Sequence, residues 1–209
     1  MYKRQELRIA ETAAGGLVGI ASAYFIFSTG TRATFIEKVD EYFDRLVDVI
    51  DEAIGSVIAP GGRTDLVAET RRLDNALKDV LTAGKPLQMV PTMRSRRGAR
   101  RLLTGLQAGN RSAHALARAG VNASRADPDS APPNVTAVAL REAADRVRDT
   151  VNTANRVIAG EHVNSPETAT DTTILDVMGT SDIPPGVVRA AVRALNNLDR
   201  TLTEVTTRV

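Results

Sequence analysis

The chain has no cysteine, which excludes disulfides and thiolate metal sites. It has no tryptophan, and aromatics make up 3% of its 209 residues. An apolar content of 43%, mostly Ala, Val, Leu and Ile, suits helix bundles filled by aliphatic side chains. A strong charge of one sign is missing too, since the net charge is a mild +2, unevenly distributed. His114 and His162 are the only histidines. They stand far apart with no Glu or Cys at ligand spacing, so neither a metal site nor a cofactor is expected. There is no phosphate-binding glycine loop, no nucleophile elbow and no carboxylate pair in a recognisable setting. The sequence offers no case for an enzyme.

What is present begins with Thr12–Thr31, TAAGGLVGIASAYFIFSTGT, which carries no charged residue. That is about the 20 positions a helix needs to cross a bilayer core. Arg8 and Glu11 precede it, and Arg32, Glu37 and Lys38 follow. Its first half is small: Gly15 and Gly19 form a GxxxG pair and, with Gly16, allow close packing against other membrane helices. Tyr24, Phe25 and Phe27 sit near the returning charges, as in an interfacial aromatic belt. The expectation is a membrane helix over 6–31 that seeks partner helices. A buried helix of a soluble bundle is the alternative reading.

Residues 1–5, Met-Tyr-Lys-Arg-Gln, are what GTG TAT AAG AGA CAG encodes, a sequence that looks like a transposon end used in library preparation. They are expected to be a cloning or assembly scar, with the natural protein beginning further upstream, and are set aside from fold reasoning.

Downstream, the spacing predicts helices throughout. Ile36, Val39, Phe43, Leu46, Ile50, Ala53 and Val57 alternate three and four apart, with Glu37, Asp40, Glu41, Asp44, Arg45 and Asp48 on the other face. Pro60-Gly61-Gly62 ends that helix. Asp65 is the expected N-cap of the next, which carries Leu66, Leu73, Ala76, Leu77, Val80 and Leu81 and closes at Gly84, read as a left-handed cap, and Pro86. A short turn makes the two an antiparallel hairpin, bringing the 84–92 connection back toward the membrane. A third helix has the seam Leu102, Leu106, Gly109, Ala113, Leu116 and Gly120, completing a unit over 32–122. Residues 123–134 read as a disordered linker. In 135–209, two further helices carry Ala137, Leu140, Ala144, Val147, Val151, Ala154 and Ile158, then Val188, Ala191, Leu195, Leu198, Leu202 and Val205. A mobile loop over 161–183 joins them, and its Ile174, Leu175, Val177 and Met178 are candidates to dock on the bundle. The fold class expected is all-α: one transmembrane helix continuing into a cytoplasmic antiparallel helical bundle.

Arg94, Arg96, Arg97, Arg100 and Arg101 form the strongest charge run. It reads either as a solvated helix start or as a contact for anionic lipid headgroups beside the span. No aromatics interleave with it, so no nucleic-acid partner is expected. By the positive-inside rule it places residues after about 31 in the cytoplasm. Arg8 and Glu11, one turn apart, read either as interfacial side chains or as the polar mouth of a substrate pathway.

Arg8-Ile-Ala-Glu11-Thr12-Ala-Ala-Gly15-Gly16-Leu-Val-Gly19 resembles the last membrane helix of a half-bundle in the fusaric acid resistance (FUSC-like) transporters, which include aromatic acid exporters. Thr29-Gly-Thr-Arg32, Arg72-Leu-Asp-Asn-Ala-Leu-Lys-Asp and Gly84-Lys-Pro-Leu87 extend the resemblance over roughly 7–116. It departs near Ser28, where the family often has proline. The resemblance implies an inner-membrane protein for efflux of aromatic or other organic acids, with this chain supplying the last membrane helix and the cytoplasmic domain. Its partners would be the lipid bilayer and upstream transmembrane helices of the same protein, with homo-oligomerisation left open. A single-span membrane-anchored helical scaffold or signalling protein is the alternative.

Overall fold

The computed structural model describes the backbone of residues 2–86, 93–161 and 186–208, and the side chains of 30–86, 98–161 and 186–205. Five α-helices carry it: α1 (Tyr2–Ile58), α2 (Leu66–Gly84), α3 (Met93–Ser124), α4 (Asn134–Ala159) and α5 (Gly186–Arg208). No strand occurs among the described residues, so the all-α class stands.

The second half of α1 is the centre. The a/d stripe predicts one buried seam, but Phe35, Val39, Tyr42, Phe43, Leu46, Val49, Ile50, Ala53, Ile54 and Val57 are all buried, while Ile36 is half-exposed. The seam is wider than expected because α1 is covered from two sides, by α2 and α3 and by α4. Side-chain partners give the directions. Tyr42 meets Leu106 and Ala53 meets Gly120, so α1 and α3 run together. Asn155 bonds Asp40, Arg148 bonds Asp51 and Arg32 lies beside Gly160, so α4 runs the other way. Gly105 faces Val205 and Gly109 faces Leu198, so α5 opposes α3 and runs parallel to α4. Helices α1, α3, α5 and α4 thus form a four-sided bundle, and α2 closes a three-helix unit on the α1–α3 edge.

That edge is tight. A Cβ on Gly120 would stand 2.6 Å from Leu66 Cδ1 and 2.9 Å from the Ala53 Cα, so a side chain there drives backbone against backbone. The seams expected on α3, α4 and α5 are buried as read. Gly160 ends α4 in the left-handed region at φ +93°, with its N–H donated to Val157 O at 3.0 Å.

Three local expectations need correction. Gly84 is not a left-handed cap: the only positive-φ glycines among the described residues are Gly61 and Gly160. It is small because Leu103 and Phe35 press on it, at 3.1 and 3.3 Å from where a Cβ would sit. Asp65 stands at the N-cap of α2 without a side-chain capping bond, and it is Thr64 Oγ1 that accepts from Leu66 N, at 3.3 Å. Residues 123–134 form a built corner instead of a disordered linker. Asp127 accepts from Asp129 N at 3.0 Å, Pro128–Ser130 makes a 3-10 turn, and the Pro128 ring covers Gly61 in the α1–α2 turn. Proline there fixes the chain against a neighbour.

Residues 162–185, with Ile174, Leu175, Val177 and Met178, lie outside the described residues. Among the described residues no helix is long and apolar enough to cross a membrane. The side chains of the charge-free stretch lie outside that set up to residue 29.

Two glycines separate packing from propensity. Gly120→Ala is expected to destabilise the protein by about 1–3 kcal/mol, the usual range for overpacking. Gly55→Ala, in α1 with nothing within 4 Å of the added methyl, is expected to stabilise it by up to about 1 kcal/mol. Urea unfolding of both variants checks the opposite signs.

Candidate functional site

The stripes that bury α2 and α3 also decide what flanks them. On α2, Leu66, Leu73 and Leu77 face inward and leave Val67, Thr70, Arg71 and Asp74 along one side. On α3, Ala113, Leu116 and Ala117 face inward and leave His114, Arg118 and Val121, with Arg125 just past the helix end. These two flanks meet in an open groove of about 490 Å³.

A polar string runs from the core to this groove. Tyr42 of α1, fully buried, donates its hydroxyl to Leu106 O at 3.2 Å. Burial, and then the charge of Asp74, push its phenol far above the ordinary range, so it remains a neutral donor. One turn along α3, Asn110 is 8% exposed and donates Nδ2 to Asp74 Oδ1 at 2.9 Å. The same oxygen is 2.7 Å from His114 Nε2. Asn110 Oδ1 is buried with no hydrogen-bond partner among the described residues.

Chemically the site holds charge more readily than it transforms a substrate. Asp74 orients His114, but Thr70, the hydroxyl lining the groove, donates to Leu66 O. No group of three His, Cys, Asp or Glu able to hold a metal occurs among the described residues. Arg71, Arg118 and Arg125 have no ion pair among the described residues.

The residues singled out in the sequence fall elsewhere. Arg8, Glu11, Gly15, Gly16 and Gly19 lie on the helical backbone of α1, and their side chains are outside the described residues. Arg94, Arg96 and Arg97 start α3 under the same restriction. Arg100 and Arg101 are exposed on α3, next to Leu102 and Leu103 of the core. His114 is a groove residue with 33% side-chain exposure. The signal for it was two i, i+4 pairs, Thr70/Asp74 and Asn110/His114, whose meeting depends on how α2 and α3 are rotated.

Along α1 the exposed face is acidic. Lys38 bonds Glu41 at 2.8 Å, Arg45 bonds Asp48 at 3.3 Å, and Arg148 reaches Asp51. Asp44 makes no salt bridge among the described residues, and partial burial, then the charges of Asp40 and Asp48, outweigh nearby Arg45 and raise its carboxyl above the usual range. A raised carboxyl binds its proton more tightly folded than unfolded. Its ionised form therefore opposes folding above the raised pKa, and the penalty disappears as pH falls below the unfolded value. Asp44→Asn is expected to raise Tm at about pH 7 and to lose that advantage near pH 3. In the polar string, Tyr42→Phe should cost about 1 kcal/mol, whereas Asn110→Leu, which removes the orphan acceptor, should gain about 1 kcal/mol. Chemical denaturation of the two variants reads the opposed effects.

Comparison with protein-family models, with curated proteins and with solved structures finds no match for this chain.

Proposed function

We propose that the chain is the last membrane helix and cytoplasmic helical domain of an inner-membrane transporter of the FUSC-like kind, which exports aromatic or other organic acids. It works with further membrane helices packed against its Gly15–Gly19 face. The observation that carries the reading is the continuity of α1, 57 residues without a break. At 1.5 Å per residue that is about 85 Å, against about 29 to 48 Å for helices of 19 to 32 residues such as α2 and α3. The charge-free stretch and the central core stripe therefore share one rod. The first buried side chain among those described, Phe35, follows within a turn of Arg32, where charge returns.

The surroundings of Phe35 favour the same arrangement. Gly84, Leu103 and Phe35 meet at one end of the bundle, and Arg32 and Gly160 lie there as well. Arg100 and Arg101 are exposed beside Leu103, where anionic headgroups would meet them. A rigid α1 would couple the bundle to whatever its membrane half packs against.

Carbonate-washed membranes from cells producing the chain test the anchoring. The protein is expected to stay in the pellet until detergent is added, and Gly19→Arg is expected to move it toward the supernatant. Wild-type protein in the supernatant without detergent would overturn the proposal. Export is read from preloaded benzoate: cells carrying the protein with its partner helices should lose it faster than empty-vector cells, and equal loss refutes that assignment.

A further inference from the structure

From the α2–α3 groove we infer that the helical domain binds a small organic anion, a carboxylate-type head on a hydrocarbon body. The inference stands independently of the membrane reading, because it uses only the described bundle.

The groove has two unlike surfaces. Its floor is apolar, built from Leu66, Ala117 and Val121, with Val67 on the rim at 66% exposure. Its edges carry Arg71 from α2, Arg118 from α3 and Arg125 just past the end of α3. An exposed arginine normally needs no explanation. Three without counter-ions among the described residues around one apolar depression are a different matter, since each raises the field felt by the others. The single acidic group of the lining, Asp74, is already engaged: Asn110 and His114 share its Oδ1. What remains is a cationic rim over hydrocarbon.

The shape limits the ligand. About 490 Å³ falls within the range of small-molecule sites and is more than a bare inorganic anion would fill. Arg118 lies in the last turns of α3 and Arg125 just beyond its end at Ser124, while Arg71 approaches from α2. An anionic head can thus be met by a guanidinium fork at one edge while its apolar body lies along Leu66, Ala117 and Val121. A neutral hydrocarbon gains the floor without the rim, and phosphate gains the rim without the floor.

Titration calorimetry on the full chain decides the matter, with octanoate as the amphipathic anion, octanol as the body without the charge, and phosphate as the charge without the body. Octanoate is expected to bind saturably at one site, and octanol and phosphate at least about tenfold more weakly. Arg118→Gln and Arg71→Gln should each weaken octanoate by about tenfold, Arg118→Lys should restore only part of the loss, and Arg193→Gln on α5 should change nothing. All three replaced arginines are surface side chains, and thermal unfolding of each of the four variants confirms the fold. Phosphate or octanol binding as tightly as octanoate, or octanoate binding unchanged in both glutamine variants, would overturn the inference.

Discussion

The close approach of α1 and α3 at Ala53 and Gly120 is the constraint from which the remaining architecture follows. With no side chain on Gly120, the two backbones touch, and Leu66 can lie across both. That contact sets the edge on which α2 completes one unit and α4 with α5 complete another. It also sets the rotation of α3, and with it which residues flank the seam. Asn110 and His114 come to face α2, and Tyr42 of α1 comes within reach of the carbonyl one turn before them. The polar string and the groove are thus consequences of how near two helices can come.

Much of this was legible in the sequence, and for a clear reason. Buried seams on α2, α3, α4 and α5 announce themselves through 3.6-residue spacing, and apart from Leu81, which is only partly buried, the residues read for them are found inside. The missed features depend on relations between helices. Tyr42, Val49 and Ile54 are buried because α1 is covered on a second side, which no periodicity of one helix reveals. Gly84 has the composition of a cap, but its smallness answers to Phe35 and Leu103. Pro128 and its neighbours have the composition of disorder, but they pin the corner against Gly61. The groove is of this kind too: its arginines are scattered in sequence and gather only when α2 lies on α3.

Two proposals concern opposite parts of the chain, yet they share a chemistry. The bundle end at Phe35, Gly84 and Gly160 is where α1 departs, and Arg32, Arg100 and Arg101 mark it with positive charge. The groove runs from Asp74 and His114 toward Leu66 and Arg125, near the other end. An anion held there would lie away from a bilayer at the Phe35 end, on a surface made by α2 and α3 alone.

Helix α5, the last in chain order, packs chiefly on α3 and then on α4. Its main contacts, Gly105 with Val205 and Gly109 with Leu198, tie together residues nearly half the chain apart. The entropy of closing so large a loop falls on α5, whereas α1, α2 and α3 assemble through a short turn and residues 85–92. Helix α5 is accordingly the clasp that ties α3 to α4, whereas the Asp74–His114 contact lies between α2 and α3.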